Sequence, residues 1–479
     1  MKKYLKFYID GKWVKPTKAK TMSVINPATE KAYAEISLGS AADVDRAVVA
    51  ARKAFTSFRK TSVKERIELL QSVLGVYQRR SDEVAAAITE EMGAPTGLSR
   101  MYQAPLGTGH LATSLEALKN FQWERNHGNH IISHEPIGVA GLITPWNWPM
   151  NQIASKVGPA LAAGCTMVLK PSEIAPIDAI IFAEILHEAG VPAGVFNLIN
   201  GTGPAVGEAM SAHPDIDMMS FTGSTRGGVA VAIGSAPTVK RVTQELGGKS
   251  ANIILDDDGF QSGVAIGIGQ CMANSGQSCN APTRMLVPKS RMKDAIAIGE
   301  ALLENIVVGD PLAADTDLGP VVSKVQFNKI QDLIQVGMDE KTTLVAGGVG
   351  KPDGLKKGYY VKPTIFANVK NDMRIAQEEI FGPVLVMIGY KDEAEAIEIA
   401  NDSAYGLAAY VNSAELSDAA RVGRQLNAGQ VVLNYQEGHL DAPFGGFKQS
   451  GNGREKGEWG MEEYLEIKAI IGANARAAE

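Results

Sequence analysis

VAGLI at 139–143 opens a stretch of the chain in which β-rich runs alternate with helix-like segments. The later β-rich runs are MVLK (167–170), VFNLI (195–199), DMMSF (217–221) and VKRVT (239–243), and the helix-like segments between them cover 150–163, 177–189, 204–211 and 225–233. Strands separated by helices of this length are joined by right-handed crossovers into a largely parallel sheet. The pattern therefore predicts a doubly wound, nucleotide-binding α/β architecture.

A second α/β series follows the first. It runs from ANIILD (251–256) to QVVLN (430–434), with helical segments such as 290–304, 393–401 and 415–426 between some of its β-rich runs. Residues before 115 are mainly helical after Ala41, because apolar positions recur there at helical spacing. We therefore predict a second α/β domain, with the N-terminal helices packed against one of the two sheets.

Two segments outside both series predict a small β element. FQWERNHGNHIISHEP (121–136) indicates a hairpin that turns at His127 and Gly128. EEYLEIKAII (462–471) predicts a strand with no obvious local partner. Because an unpaired strand and a projecting hairpin both require a neighbour, we expect a subunit interface here, in a homodimer or homotetramer.

Composition narrows the class of protein. The chain has 479 residues, 45% of them hydrophobic and 21% charged, with a net charge of −6, which argues against nucleic acid or an anionic membrane as the main partner. Its N-terminus lacks the apolar stretch of a secretory signal, and no run reaches the roughly 18 apolar residues of a membrane span. Three cysteines make no disulfide framework. We therefore expect a cytoplasmic protein.

Cys279 is the candidate nucleophile. It lies in NSGQSCNAPTR (274–284) among small and polar residues, which predicts an accessible loop. Cys165 and Cys271 fit the commoner interpretation of a small buried side chain.

Other motifs carry polar groups at predicted strand ends. Glu245 ends a strand before two glycines, and Asn147 lies in TPWNWP, where a rigid turn can hold its amide in one pose. SFTGSTRGG (220–228) is a strand followed by a helix start, where free backbone N–H groups can bind a phosphate, although an ordinary helix cap explains part of it. GTGPAVG (201–207) is weak evidence alone.

Together these motifs resemble the aldehyde dehydrogenase superfamily over nearly the whole chain, from YIDGKW (8–13) to the C-terminal strand. The specific elements, in family order and spacing, are TPWNWP (144–149), LKPSE (169–173), FTGSTRGG (221–228), ELGGKS (245–250), GQSC (276–279), EEIFGPV (378–384) and PFGGFKQSGNGRE (443–455). The resemblance implies oxidation of an aldehyde to a carboxylic acid with NAD, or NADP as the alternative, through a cysteine thiohemiacetal and thioester.

The resemblance also implies roles for individual residues. It places the nucleophile at Cys279, the general base at Glu245 and the oxyanion donor at Asn147. Relatives that pass the acyl group to coenzyme A lack a carboxylate at the position of Glu245, so a free acid is the expected product. The implied cofactor contacts are Lys170 and Glu379 for ribose hydroxyls, Glu173 for the ribose 2′-hydroxyl, Trp146, Gly223 and Ser224 for the adenosine diphosphate portion, Phe381 for the nicotinamide, and Gly203.

The same resemblance divides the chain into domains. The expected NAD-binding domain covers 1–117 and 137–247, the catalytic domain 248–447, and the oligomerisation element 118–136 and 459–479. The expected aldehyde channel is formed by Trp148, Gln152, Ser155, Ser278, Asn280 and the loop 436–442. Several of these side chains are polar, which favours a small or polar aldehyde, although hydrogen bonding to the backbone explains them equally well.

Two other functions compete with this interpretation. A binding protein with an inherited dehydrogenase fold has no need of Cys279, Glu245 and Asn147 together. A metal hydrolase is indicated only if His127, His130 and His134 share a helical face. The nearby glycine and β-branched residues favour a strand, in which alternation separates His127 from the other two. We therefore expect no metal.

Overall fold

The computed structural model describes residues 1–436 and 438–473. Its first large sheet has eight strands, which lie across the sheet in the order Gly451–Asn452, Arg241–Glu245, Met218–Thr222, Val139–Ile143, Thr166–Lys170, Phe196–Leu198, Phe7–Ile9 and Lys12–Val14. All five predicted β-rich runs form its parallel centre. The chain order reverses between Met218–Thr222 and Val139–Ile143, which confirms the doubly wound fold and marks the ligand-binding end of the sheet.

The second large sheet has seven strands. Their order across the sheet is Thr343–Ala346, Thr364–Ala367, Val384–Tyr390, Arg284–Pro288, Ala251–Ile254, Ala408–Asn412 and Gln430–Leu433. All pairs are parallel except the first. Its central strands are buried and apolar, as expected when helices cover both faces. The predicted second α/β series is therefore confirmed.

Helices surround both sheets and begin at recognisable caps. Ser62 and Glu65 form a reciprocal capping box at the start of the longest helix, and Gly93, at φ 82°, ends it. The α-helices are Ala41–Phe58, Val63–Met92, Thr96–Leu98, Ala104–Asn120, Pro149–Ala163, Ile177–Glu188, Glu208–Ala212, Thr225–Ser235, Phe260–Met272, Met292–Leu303, Lys324–Asp339, Arg374–Gln377, Glu393–Asn401, Leu416–Gly423 and Gly457–Glu462. None of the helices described is long and apolar enough to cross a membrane.

The C-terminal strand corrects one prediction. Leu465–Ile470 is not an orphan: it pairs antiparallel with His130–Pro136, which in turn pairs with Glu124–His127. The hairpin itself is confirmed, and its two-residue turn contains Gly128 at φ 59°. Residues 474–479 of the expected oligomerisation element lie outside the described residues.

The histidines of the hairpin also differ from expectation. The segment is a strand, as predicted, but His127 pairs directly with His130 across the turn, so alternation does not separate these two. The turn reverses the chain, and alternation within one strand does not apply across it. His134 instead packs its ring against Phe121, with 5.1 Å between ring centroids. In the described part of the chain, no cluster of three or more His, Cys, Asp or Glu side chains could hold a metal.

The N-terminal segment contains strands that the helical periodicity did not indicate. Lys2–Tyr4, Thr21–Asn26 and Lys31–Ser37 form a small sheet, and Phe7–Ile9 extends the first large sheet. These strands have only three to seven residues, too few for a clear alternation pattern. The domain limits stay a prediction.

Candidate active site

The candidate residues gather at the carboxyl ends of the parallel strands. Asn147 follows Val139–Ile143, and Glu245 is the last residue of its strand. A cavity of about 180 Å³ at this edge is lined by Pro145, Trp146, Asn147, Thr222, Gly223, Ser224, Glu245, Leu246, Gly247, Cys279, Gln326, Lys329, Glu379 and Phe381. The structure thus brings together the three predicted catalytic side chains with five predicted cofactor contacts.

A constrained loop presents Cys279 to this cavity. Asn274 and Ser275 both have positive φ, at 55° and 53°, and Gly276 follows at 70°. A side chain at Gly276 would collide with the carbonyl of Gly382, so only glycine fits. Strained backbone of this kind persists only where surrounding contacts hold it.

Buried amides supply those contacts. Asn274 Nδ2 donates to the Asn147 carbonyl at 2.9 Å, and Gln103 Nε2 donates to Asn274 Oδ1 at 3.1 Å. Gln277 Oε1 accepts the backbone N–H of Val322 at 2.9 Å. The loop before Cys279 is therefore tied to three separate parts of the chain.

Asn147 is fixed beside the same loop. Its Nδ2 donates to the Gln277 carbonyl at 3.0 Å, and the side chain is only 3% exposed. An amide nitrogen carries two hydrogens, so this bond leaves one donor for a ligand in the cavity. Pro149 begins the next helix and restrains the turn that carries the amide.

Glu245 is buried without neutralising hydrogen bonds. It is 4% exposed, and among the residues described neither of its carboxylate oxygens has a hydrogen-bond partner. Burial, followed by the charge of Glu455, raises the pKa of Glu245 well above its ordinary value, although Lys156 and Lys456 oppose this. A carboxyl with a raised pKa is suited to exchange protons near neutral pH.

The thiol of Cys279 is also held in its protonated form. Burial raises its pKa to about 12, and the charges of Glu379 and Glu245 add to this. Backbone N–H groups of Cys279 and Asn280 act in the opposite direction. The thiol therefore needs a proton acceptor in the cavity before it can act as a nucleophile.

Glu379 lies at the other side of the cavity. Its Oε1 accepts the N–H of Gly248 at 2.9 Å, while burial raises the pKa of its carboxyl. Gly248 itself has no room for a side chain, because a Cβ there would lie 2.5 Å from the Cys279 carbonyl oxygen. Phe381, two residues further, has a positive φ of 59° and packs edge-on against Trp146 at 5.4 Å.

A larger groove of about 790 Å³ continues from this cavity. Pro145, Trp146, Thr222, Gly223 and Ser224 line both spaces. The groove also contains the predicted contacts Lys170, Glu173 and Gly203.

Local chemistry in the groove fits a dinucleotide. Ser224 caps the helix Thr225–Ser235, accepting the N–H of Gly227, so the helix start faces the groove. The hydroxyl of Thr222 is buried with no hydrogen-bond partner among the described residues. Lys170 Nζ is buried and donates to Glu173 Oε2 at 3.1 Å, and its burial lowers its pKa. These donors and acceptors match phosphate and ribose hydroxyls.

Hydrogen bonds connect several of the predicted channel residues to their surroundings. Trp148 Nε1 donates to Ser278 Oγ at 2.7 Å, and the carbonyl of Asn280 accepts from Tyr410 at 2.9 Å. Ser155 Oγ contacts the Gln152 carbonyl and Glu455, at 3.2 and 3.3 Å. Their role in substrate binding stays a prediction, and Glu437 of the predicted channel loop lies outside the described residues.

Sequence reasoning missed the helix Lys324–Asp339, which carries two cavity residues. Gln326 Nε2 donates to the Phe381 carbonyl at 2.8 Å, and Lys329 lines the cavity beside Glu379. The sequence contains a signal for this helix, since Ser323 and Gln326 form the S-x-x-Q pattern of a helix start. In the structure, Ser323 Oγ accepts the N–H of Gln326 at 3.2 Å.

Comparison with known proteins agrees with this geometry. The model of the Aldehyde dehydrogenase family matches residues 13–470. A 3-succinoylsemialdehyde-pyridine dehydrogenase from a Pseudomonas species is 55% identical over 473 residues, covering 98% of this chain and 99% of its own.

Solved structures have the same fold. A cysteine-to-alanine mutant of aldehyde dehydrogenase C from Pseudomonas syringae, complexed with NAD+ and octanal, is 51% identical with a TM-score of 0.97, over 98% of this chain and 96% of its own. A Mycobacterium tuberculosis aldehyde dehydrogenase complexed with NAD+ is 37% identical with a TM-score of 0.95, over 98% of both chains. The chain therefore belongs to the aldehyde dehydrogenase family, whose reaction oxidises an aldehyde to a carboxylic acid.

Proposed function

We propose that this protein oxidises its aldehyde with NAD+ through a covalent intermediate on Cys279, with Asn147 and Glu245 as its catalytic partners. The observation that carries the proposal is that these three side chains line one cavity, which opens into a groove with dinucleotide chemistry. A panel of aldehydes, assayed for NADH formation with NAD, with NADP and with coenzyme A as an added acceptor, tests it. Absence of NADH with every aldehyde would contradict the proposal.

Each residue has a distinct step. Cys279 Sγ, after losing its proton, attacks the aldehyde carbon and forms a thiohemiacetal. The remaining hydrogen of Asn147 Nδ2 and the N–H of Cys279 stabilise the resulting oxyanion. Departure of a hydride converts the adduct to a thioester. Glu245 then takes a proton from a water molecule, whose oxygen attacks the thioester and releases the acid and the thiol.

The cofactor supplies only the hydride acceptor. When bound, NAD+ takes the hydride that leaves the substrate carbon. We assign its ribose hydroxyls to Lys170, Glu173 and Glu379, supported by their position in the groove and cavity. We likewise assign Trp146, Gly223 and Ser224 to its adenosine diphosphate portion and Phe381 to the nicotinamide, with Gly203 as a further cofactor contact.

Glu173 makes NAD the preferred cofactor. Its carboxylate accepts from Lys170 and lines the groove, so it can accept a ribose 2′-hydroxyl but repels a 2′-phosphate. The unaltered enzyme should have a higher kcat/KM with NAD than with NADP. Glu173→Ser should shift the ratio of the two toward NADP by about tenfold, equivalent to roughly 1.4 kcal/mol.

Glu208→Gln is the matched control, because Glu208 is another carboxylate on the groove. Its effect on the cofactor ratio should be smaller than that of Glu173→Ser. Equal kcat/KM values for NAD and NADP with the unaltered enzyme would remove Glu173 as the discriminating residue.

The substrate that we propose is a small or polar aldehyde. Support comes from the polar side chains among the predicted channel residues, such as Gln152, whose Oε1 is buried without a partner among the described residues. A bulky apolar aldehyde would leave this oxygen unpaired, at a cost in affinity.

We also propose a homodimer or homotetramer assembled through the three-stranded sheet. Within residues 1–436 and 438–473, the strand Leu465–Ile470 has one backbone edge without a neighbouring strand, and Ile467 and Ile471 are 71% and 78% exposed. Sedimentation should find the intact chain as an oligomer, and the double variant Ile467→Glu, Ile471→Glu should shift it toward the monomer. Leu416→Glu, at an exposed position away from this sheet, is the control. A monomeric intact chain would contradict the assembly.

The cytoplasm is the location that we propose. All three cysteines are free, and a reducing compartment keeps Cys279 as a thiol.

A further inference from the structure

Lys456 carries a side-chain ammonium that the proposed catalytic steps do not use. It lies in the region around Cys279. It follows Glu455, which forms an antiparallel bridge with Phe444. Lys456 itself has a positive φ of 76°, and its Nζ lies 4.6 Å from the centre of the Phe444 ring. This backbone conformation is uncommon for a residue with a side chain, so the surrounding packing holds it there.

Several elements converge on this position. The helix Gly457–Glu462, which begins directly after Lys456, packs against the helices Ala104–Asn120 and Pro149–Ala163. The second of these helices follows Trp148, which is bonded to Ser278 beside the nucleophile. Gly445, which follows Phe444 in the chain, lies against Glu245, because a Cβ on Gly445 would be 2.8 Å from Glu245 Oε1. The ring over which Lys456 lies is therefore next to the catalytic carboxyl.

Burial lowers the pKa of Lys456, and the charges of Glu455, Cys279 and Glu245 oppose this shift. Glu455 is already paired with the buried Lys156, at 2.5 Å. Burial raises the pKa of Glu245 well above its ordinary value, so this carboxyl is favoured in its neutral form. Among the described residues, no hydrogen bond or ion pair engages Lys456 Nζ.

The backbone of Asp441 lies against Gly457, the residue after Lys456, and three other side chains nearby are neutral or positive. Burial lowers the pKa of His110 to about 4, so its ring is uncharged at neutral pH, and it shares a hydrogen bond of 2.6 Å with Asn151. The Cys279 thiol is protonated, as described above. Arg454 donates to the backbone carbonyls of Gly446 and Gly453, at 3.4 and 2.6 Å.

We propose that Lys456 is a specificity-determining residue that selects a short aldehyde carrying a carboxylate. The proposal rests on the proposed function, since it requires the aldehyde carbon at Cys279 Sγ. A carboxylate at the other end of the substrate then pairs with Lys456 Nζ, and Phe444 covers the stem between them. An ammonium in a partly buried site gains most from an anionic ligand that it can hydrogen-bond.

Ser155 makes room for this arrangement. Its small side chain is buried, and its Oγ donates to Glu455 Oε2 at 3.3 Å. The neighbouring Gln152 has an amide oxygen that is buried without a partner among the described residues. We therefore expect the enzyme to prefer, among polar aldehydes, those that carry a negative charge.

The test compares 4-oxobutanoate with butanal, which share a four-carbon chain. With the unaltered enzyme, kcat/KM for NADH formation should be higher for 4-oxobutanoate. Lys456→Met should lower the ratio of the two values by about tenfold or more, because it removes a charged hydrogen bond. Lys456→Arg, which keeps the charge, should retain most of the ratio.

Lys351→Met is the matched control, because Lys351 also lies over an aromatic ring, that of Phe327 at 5.8 Å, but pairs with Glu30 at the surface. It should leave the ratio unchanged. A ratio of one or less in the unaltered enzyme, or an unchanged ratio in Lys456→Met, overturns the inference and leaves the proposed function standing. Oxidation of neither aldehyde by the unaltered enzyme overturns the inference, whereas the proposed function is contradicted only if no aldehyde of the panel yields NADH.

A second measurement needs no variant. Butanoate should protect Cys279 of the unaltered protein from iodoacetamide, and the neutral butanamide should protect it less. Equal protection by the two compounds would overturn the selection of a carboxylate, even if Lys456→Met failed to fold.

Discussion

Cys279→Ala should abolish aldehyde oxidation, with a loss on the order of 10⁴-fold or more, because no other group can form the covalent intermediate. Cys279 is the partly exposed cysteine, and it lines the cavity that also contains Asn147 and Glu245. NADH formation at saturating aldehyde measures the loss. The fold should be retained, since the bonds that hold the loop come from Asn274 and Gln277.

Cys165→Ala and Cys271→Ala are the controls. Both thiols are fully buried in hydrophobic clusters, and burial raises the pKa of each to about 12. These variants should keep most of the activity. Labelling by iodoacetamide should follow activity loss at Cys279, and turnover by Cys279→Ala at a rate near that of the parent would refute the covalent mechanism.

Glu245→Gln should separate the two half-reactions. The amide has nearly the same size and can still hydrogen-bond, but it cannot accept a proton. With aldehyde and NAD, the variant should release about one NADH per active site in a burst and then almost stop, because the thioester is no longer hydrolysed. Rapid-mixing absorbance measures the burst, and mass spectrometry should find the acyl group on Cys279.

The rate of thioester hydrolysis should depend on pH. Because burial raises the pKa of Glu245, the form that can accept a proton becomes more populated as pH increases, and hydrolysis should accelerate with it. If Glu245 also accepts the proton of Cys279, the burst itself will be slower. Loss of turnover with no acyl adduct would place its role before hydride transfer, and hydrolysis at the parent rate would end the general-base assignment.

Glu455→Gln is a useful companion. The charge of Glu455 is the second cause of the raised pKa of Glu245, but Glu455 is also the partner of Lys156. Replacing Glu455 by glutamine therefore removes one negative charge that raises the pKa of Glu245. It also leaves the buried Lys156, which lowers that pKa, without its partner. Both changes favour the ionised form of the Glu245 carboxyl, whereas Glu245→Gln has no ionisable group at this position.

Local patterns in the sequence were sufficient for the doubly wound fold. Alternation of β-rich and helical segments from Val139 to Glu245 depends on periodicity within each segment, and the observed strands agree to within two residues at each end. The hairpin turn at Gly128 and the helix start at Ser224 are equally local, since each depends on the chemistry of a few adjacent residues. Cys279 could be recognised as a candidate from the sequence, because the residues that define its motif are adjacent to it in the chain.

Only the tertiary structure decided which distant groups meet. The partner of Leu465–Ile470, the approach of Lys329 to Glu379 and the placement of Lys456 over Phe444 all depend on packing between segments far apart in the chain. The protonation states of the Cys279 thiol and the Glu245 carboxyl depend on it as well, because desolvation is the sum of everything that surrounds a group. The sequence thus identified the residues that we propose as reacting groups, whereas burial and long-range contacts determine their acidity.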